Sequence, residues 1–560
     1  MSKQQETVDL VVVGFGMAGA SAAMQALESA EAAGTKPNIL LVDRFEGGGA
    51  TSRSAGIVYF GGGTDLQRKF GVDDDVENFY EYMKIEAKGA VSEETLWRFC
   101  ETSPQCAAWI RDSFQAKFNI KEDDGAKLYH LKTSVSAEQY SLQFSGNETA
   151  HPYTVKARAV QRGHKAYGPG GSYVGYGNLL FADLERGILK CKPRGLHVET
   201  FTRCTELVRE GDRVVACKLV SMANAPFWAR LVHAKLAYFG GLTQPVTHLE
   251  QWIQSTCDSL ERNYGTERLV HTTNGVVLCA GGFGRSDEHM RQHLPKYHGA
   301  MPLGSIADDG EGIFKLGVKD CNAKTGFLSN GIAWKFITPA QAMAKGVLVN
   351  KHGVRSCNEE SYGATLARSI IVENGGTGEG FLVIDQTLAN ECWEEMRHGE
   401  MLWLQIGQQL LQLCWNRVKC NTLEELAKET GCGQQLVDTI TEYNAQCKQG
   451  RDDVKGKRST LLSAIETGPF YAFKFHTHGT MWFTPYFSLG GLSVDETSGL
   501  VLDAQTSQPI AGLYAAGRNA VGVCSQSYVS GLSLSDAVFS GRRAAMHAMS
   551  GQIFGAKAKL

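Results

Sequence analysis

From Val8 the chain reads VDLVVV, an unbroken apolar run of the kind a strand buried on both faces carries. The pattern then switches to Gly14, Gly16 and Gly19, followed by an alanine-rich helical stretch from Ala20 to about Ala33 and a second apolar run, NILLVD, ending at Asp43. Residues 73–118 are charged and periodically apolar, which predicts two or three surface helices without obvious chemistry. Residues 196–220 alternate like a strand pair joined at Glu210-Gly211-Asp212, and the strand pattern resumes at Val270. Between them, 221–269 reads as an insertion whose FWARLVHAKLAYFGGL and HLEQWIQSTCDSLERNY stretches are amphipathic. A surface cap, a subunit contact, a membrane-surface helix or a helical excursion packed on its own domain all fit that pattern. Longer helical patterns fill 311–470, and strand and glycine patterns return at 483–545.

That order predicts an α/β fold. A Rossmann-like nucleotide-binding domain is built from both ends of the chain, 1–310 and 471–560, with an α+β catalytic or capping domain inserted at 311–470. A length of 560 residues accommodates such an arrangement. Composition narrows the partners: 56 basic against 59 acidic side chains leave a net charge of −3, which does not call for nucleic acid. The 15 cysteines are unevenly spaced, form no CxxC pair and begin only at Cys100, so neither a disulfide framework nor a zinc site is expected and a reducing cytoplasm fits best. The start, MSKQQETVDL, lacks a signal-peptide pattern, and no apolar run reaches 18 residues, so no transmembrane segment is expected, while peripheral membrane contact stays open. Glycine is in excess, with 63 residues clustering at 14–19, 47–63, 163–177, 281–284, 489–491 and 512–531, where backbones are expected to approach something closely.

The first cluster carries chemistry because of its context. Strand, GxGxxG, helix and strand in that order form a dinucleotide fingerprint. Gly14 makes the tight turn, Gly16 admits a pyrophosphate to the backbone, Gly19 lets helix meet sheet, and the N–H groups near Met17 and Ala18 face the phosphates. Asp43, 24 residues past Gly19, is placed to accept from ribose hydroxyls, with Arg44 beside it.

Three further segments, EGGGATSRSAGIVYFGGGT at 46–64, CAGGFG at 279–284 and GLYAAGRNAVGVCSQSYVSGLSLSDAVFSGRRAA at 512–545, resemble the FAD-dependent flavoproteins of the fumarate reductase and 3-ketosteroid dehydrogenase superfamily. The resemblance implies FAD, with Ala50, Thr51, Ser52, Ser54, Ala55 and Gly56 around the flavin and phosphates. It adds Ala280 and Gly281 to the cofactor site, and places Gly517, Arg518, Ser533 and Leu534 at the isoalloxazine edge. A helix starting near Ser533 would aim its positive end at the flavin carbonyl beside N1.

The same resemblance directs attention to the substrate. Fumarate reductases hold two carboxylates with histidine and arginine, and three of those cationic positions are neutral here. The histidine of HTMGG falls on Phe487 in FSLGG, the arginine of NRLGGNSL falls on Tyr528 in SYVSGLSL, and the proton-donating arginine is missing from GVRSCNEESYGATLAR. An uncharged, apolar, steroid-like ketone is therefore expected as substrate, with an unidentified electron acceptor. The segments look most like the branch that desaturates 3-oxo-5α-steroids at the 4,5 bond, whose active-site groups are two tyrosines and a serine. These fall on Tyr528, Ser530 and Tyr362. Tyr528 and Ser530 are expected to act as an α-proton acceptor with a hydroxyl relay, and Tyr362 to support it or hold the ketone. Backbone N–H groups near Gly490, Gly491 and Gly531 are expected to polarise the carbonyl, and FAD to take the hydride. The alternatives are 1,2-desaturation, a reductase or dehydrogenase of other enoates or cyclic ketones on the same scaffold, and a flavin-bearing binding protein without turnover. His476 and His478, alternating in FHTHGTMWF, lack a third ligand nearby and are read as structural rather than metal-binding.

Overall fold

A computed structural model describes residues 6–116, 142–166, 176–242, 247–334, 341–373, 376–398, 403–450, 453–477 and 484–555. The apolar run at Val8 becomes β1 (Glu6–Val13), followed by α1 (Met17–Ala32) and β2 (Ile39–Val42). The helical patterns at 73–118 become two helices, α2 (Val76–Ala87) and α3 (Glu93–Phe114), started by the side chains of Asp75 and Ser92. Next come β3 (Leu196–Glu199) and the hairpin of β4 (Thr202–Glu210) with β5 (Arg213–Ser221). The insertion is a pair of helices, α4 (Phe227–Leu242) and α5 (Thr247–Tyr264), leading into β6 (Thr266–Leu278).

Between 347 and 476 the strands β7 (Val347–Asn350), β8 (Glu379–Ile384), β9 (Arg417–Cys420) and β10 (Phe470–His476) form an antiparallel sheet in the order β7-β8-β10-β9, accompanied by helices that include α6 (Gly363–Ile371). The chain then returns through β11 (Leu500–Leu502) and β12 (Pro509–Ala515) to α7 (Leu532–Ser550).

The two ends of the sequence meet in one eight-stranded sheet. Strands β3, β2, β1, β6 and β12 run parallel, with Val12 beside Leu41 on one side and Val277 on the other, and Val277 beside Tyr514. β5 pairs antiparallel with the first half of β6, β4 with β5, and β11 with β12. The turn after β1 thus lies at the carboxyl ends of parallel strands, with neighbours on both sides, where open α/β sheets hold their ligands. Helices α1 and α7 pack together there: a Cβ on Gly541 would come within 2.6 Å of the Ala18 carbonyl, so that position requires glycine.

Candidate active site

The three fingerprint glycines have different reasons to be glycine. Gly14 has φ +105°, and a Cβ there would meet the Cys279 carbonyl at 2.5 Å; on Gly19 it would meet the Gly14 carbonyl at 1.8 Å. Packing of the chain on itself requires both. At Gly16 the nearest atom to such a Cβ is the side-chain Thr51 Oγ1 at 3.3 Å, a tight contact but not a backbone clash, so packing of the chain on itself demands glycine less strictly here. Helix α1 begins at Met17 with no side-chain cap and no acidic residue in its first turn. A 16-residue helix whose N-cap residue is a glycine, with no side chain to bond the first-turn N–H groups, has donors and a field that an anionic ligand uses. Thr51 Oγ1 accepts from the Met17 N–H at 2.9 Å, which fastens 49–52 to the same turn. Ser52 Oγ donates to the Gly49 carbonyl, and Ser54 Oγ donates to the Thr51 carbonyl while accepting from the Gly56 N–H. Ala50 and Ala55 belong to the same turn, where Arg53 N–H donates to the Ala50 carbonyl and Tyr176 N–H to that of Ala55.

Asp43 accepts N–H bonds from Phe15 and Phe45, each at 2.8 Å, and one from Gly47, and burial pushes its carboxyl up despite them. A carboxylate offers about four lone-pair sites, so capacity for a ribose hydroxyl remains. The Arg44 guanidinium pairs with Asp258 and Glu261 (2.9 Å) of the inserted hairpin and with Asp309 (3.1 Å).

On the other side of the turn, a Cβ on Gly281 (φ +86°) would strike Asp308 Oδ1 at 2.3 Å, and the Ala280 N–H donates to Asn519 Oδ1. Gly517 (φ +59°) donates to Ser540 Oγ, and Arg518 Nη2 pairs with Asp308 at 2.7 Å. Arg518 Nη1 and Asn519 Nδ2 are buried without a partner among the described residues, as donors facing a polar ligand would be. Helix α7 is a second uncapped N-terminus, opening after Gly531 (φ +93°) with no acidic residue in its first turn; Leu534 is buried in that turn. These features fit FAD.

Next to this cradle the structure brings together four aromatic side chains from four segments of the chain. Phe487 lies on strand 485–488, Trp334 directly follows strand 331–333 that pairs with it, Tyr362 caps α6, and Tyr528 precedes α7. Tyr528 meets Phe487 edge-on at 5.0 Å between ring centres and Trp334 at 5.2 Å, and Trp334 lies 5.6 Å from Phe487 and 6.3 Å from Tyr362. Arg518 stacks on Phe487 and bonds Asp308, while Arg368, six residues after Tyr362, bonds Glu373 and the carbonyl of Gln526, two residues before Tyr528.

The hydroxyls pair differently from expectation. Tyr528 O accepts from the Gly531 N–H at 3.3 Å and lies 3.4 Å from Ser533 Oγ, whereas Ser530 hydrogen-bonds Tyr362. The segment does not stay extended beyond Ser530: Gly531 turns it left-handed into α7, so Tyr528 faces the helix start and not the serine two residues on. The Gly531 N–H is thereby already used. Gly490 and Gly491 are glycine for packing, since a Cβ would lie 2.3 Å from the Phe327 carbonyl and 2.6 Å from that of Asn519. Burial pushes both phenols up, Tyr362 well above its usual range because Tyr528 is also near. Bonds from Ser533 and Gly531 pull Tyr528 partly back, and bonds with Ser530 and Trp334 do the same for Tyr362.

Sequence reasoning passed over Trp334, whose indole N–H donates to the Tyr362 hydroxyl. It also passed over the group behind the site. Asn147 Oδ1 accepts from the Tyr362 N–H at 2.9 Å, Asn147 Nδ2 donates to Glu86 Oε2, and Glu86 Oε1 accepts from Ser527 Oγ at 2.6 Å. Helix α2 therefore ties the two tyrosine-bearing segments together. His476 Nε2 lies 3.1 Å from Glu379 on the neighbouring strand, and His478 lies outside the described residues.

Comparison with known proteins agrees with this geometry. A family model described as "FAD binding domain" matches residues 9–531. The chain is 29% identical over 519 residues to a 3-oxo-5-alpha-steroid 4-dehydrogenase of Comamonas testosteroni, covering 91% of this chain and 92% of that protein. It is 25% identical to a probable fumarate reductase of Shewanella frigidimarina, over 97% of this chain and 76% of that one. The structure matches that of 3-ketosteroid-delta4-(5alpha)-dehydrogenase from Rhodococcus jostii RHA1 in complex with 4-androstene-3,17-dione, with a TM-score of 0.78, 26% identity and 98% of each chain covered. The chain belongs to the FAD binding domain family and is an FAD-dependent oxidoreductase.

Proposed function

We propose that this protein desaturates a neutral 3-ketosteroid at the 4,5 bond. The observation that carries the reading is the convergence of Trp334, Tyr362, Phe487 and Tyr528, two of them bearing phenolic hydroxyls, with Arg518, stacked on Phe487, matched by the Asp308 carboxylate. Apolar surface with a few placed hydroxyls suits an uncharged ketone, while a dicarboxylate would need charged partners left free to bind it. The similarity over nine-tenths of the chain to an enzyme named for this reaction supports the same choice.

Bound FAD supplies the acceptor for the hydride leaving the β carbon. The protein's own task is to weaken the bond to the α proton and to receive that proton. Tyr362 suits the first role: burial keeps its phenol protonated, its oxygen accepts from the Trp334 indole, and its proton is available to the ketone oxygen. Tyr528 suits the second. Its oxygen sits at the positive end of α7 facing the Gly531 N–H and Ser533 hydroxyl, two groups that favour a phenolate and so offset part of the cost of burial. As the proton moves to Tyr528, the electrons of the broken C–H bond form the new double bond.

The test is anaerobic mixing of the yellow protein with a saturated 3-ketosteroid, following flavin bleaching and identifying the product. A 4,5-unsaturated product is expected, and Tyr528→Phe should keep FAD yet bleach about 100-fold more slowly. A 1,2-unsaturated product would overturn the regiochemistry, and an unimpaired Tyr528→Phe variant would remove that residue from the reaction.

A further inference from the structure

The inserted helical pair has two unlike sides. Its inner side is polar where it meets the body of the protein: Asp258 and Glu261 pair with Arg44 and Arg203, Glu261 also bonds the buried His233 at 2.9 Å, and Glu250 pairs with Arg285. These three are the only acidic residues between 222 and 265, and all are used there. Ala229, His233, Ala237, Ile253 and Cys257 are buried on that side.

The outer side is apolar. Phe227, Trp228, Leu231, Val232, Tyr238 and Phe239 are exposed, and at 100° per residue they fall within an arc of about 140° on α4. Trp252 extends the surface onto α5 at 56% exposure. Of the eight exposed Phe, Tyr and Trp side chains among the described residues, six lie between 227 and 264, so the patch is local and not the ordinary scatter of surface apolar groups. The charged side chains exposed with it are Arg230, Lys235 and Arg262.

We propose that this outer face rests on an anionic lipid surface. An aromatic and aliphatic stripe that carries Lys235 within it and Arg230 beyond its edge, with every acid of the hairpin paired on the inner side, matches an interfacial helix whose lysine stem lies along the apolar surface, and not a spanning one. Consistent with that, no helix among the described residues is long and apolar enough to cross a membrane. A second copy of this chain fits less well: a two-fold contact sets the same face against itself and would bring Arg230 and Lys235 together with no acid to receive them.

The test is sedimentation of the FAD-loaded protein with vesicles of phosphatidylcholine alone or with about one-third phosphatidylglycerol, at low and high salt. Retention on the anionic vesicles is expected, weakened by salt and lower on the neutral ones. Arg230→Gln with Lys235→Gln should lower anionic retention on the order of tenfold. Leu231→Gln with Phe239→Gln should abolish retention on both vesicle types. Bound FAD and thermal midpoint are read in every variant to show that folding is intact. Equal retention on neutral and anionic vesicles would overturn the proposal. So would no retention on either, or a dimer in sedimentation velocity that Leu231→Gln with Phe239→Gln dissolves.

Discussion

Two buried carboxylates near Tyr362, one in sequence and one through its neighbour Asn147, show opposite ways of keeping charge out of water. Glu359, three residues before it, is clasped by Arg355 through two bonds of 2.6 and 2.8 Å, by the Leu348 N–H and by Lys457 at 3.3 Å, and Arg355 also reaches Asp453. Its pKa is driven down to about 2 because Lys457 and Arg355 outweigh desolvation. Glu148, next to the Asn147 that holds the Tyr362 N–H, accepts from Tyr59 at 2.9 Å and from the Gly146 and Ser145 N–H groups, while the nearby Arg162 is spent on Asp74. Burial there wins, and its pKa moves up. Full charges staple strands where nothing reacts. Beside the phenols the protein uses neutral or easily neutralised groups, which hold geometry without imposing a strong field on a proton that must move.

The comparison breaks most visibly at the charged end. Arg355→Met leaves Glu359, Asp453 and Lys457 buried and unbalanced, and should lower stability by about 3–5 kcal/mol in denaturant melts. The loss should exceed that of any substitution in the Glu148 group. If Arg355→Met were neutral, the cluster would not be the staple described.

Acid sharpens the contrast. Glu359 is held below its ordinary value of 4.5, so its contribution, on the order of 3 kcal/mol, is complete above pH 4.5 and is lost as pH falls towards 2. Glu148 is raised, so what it contributes is complete below the ordinary carboxylate value and lost as pH rises through its folded value. Unfolding free energies measured across this range should show Glu359→Gln costing much more at pH 7 than at pH 3. The cost of Glu148→Gln should instead shrink with rising pH.

Asn147→Leu tests the neutral side. It removes the acceptor of the Tyr362 N–H and a donor to Glu86, and should lower stability by about 1–3 kcal/mol. It should also slow flavin reduction about tenfold, through misplacement of Tyr362. A stability loss with an unchanged reduction rate would make Asn147 structural only.

These regions also mark what the sequence could reveal. The β1–glycine–α1–β2 unit was legible because its signal is local: an apolar run, three spaced glycines and an alanine-rich helix within 40 residues. The neutral character at Phe487 and Tyr528 was legible as departures from a family pattern. Asn147, Glu86 and Trp334 were not, since their meaning comes from partners far along the chain: Asn147 and Tyr362 are 215 positions apart, and Glu86 and Ser527 are 441. The partners of the Arg44 side chain were hidden for the same reason, all of them lying more than 200 residues away. Helix α2 looked free of chemistry because its charged pattern hid a buried face carrying Glu86 and Tyr82.

The smallest effect separates the two hydroxyl pairs within the site itself. Ser533 lies by Tyr528 and Ser530 by Tyr362, so the two serines should not be interchangeable. Ser533→Ala removes a group that favours the Tyr528 phenolate; reduction should slow a few-fold, and the rising limb of its pH profile should move to higher pH. Ser530→Ala instead loosens Tyr362, whose proposed role is to grip the ketone, and should weaken steroid binding with the pH limb in place. Both changes delete one hydroxyl within three residues of sequence, so a loss of folding would touch both variants alike. A pH shift in Ser530→Ala and none in Ser533→Ala would reverse the assignment of the two tyrosines, because the serine that moves the profile is the one bonded to the proton acceptor.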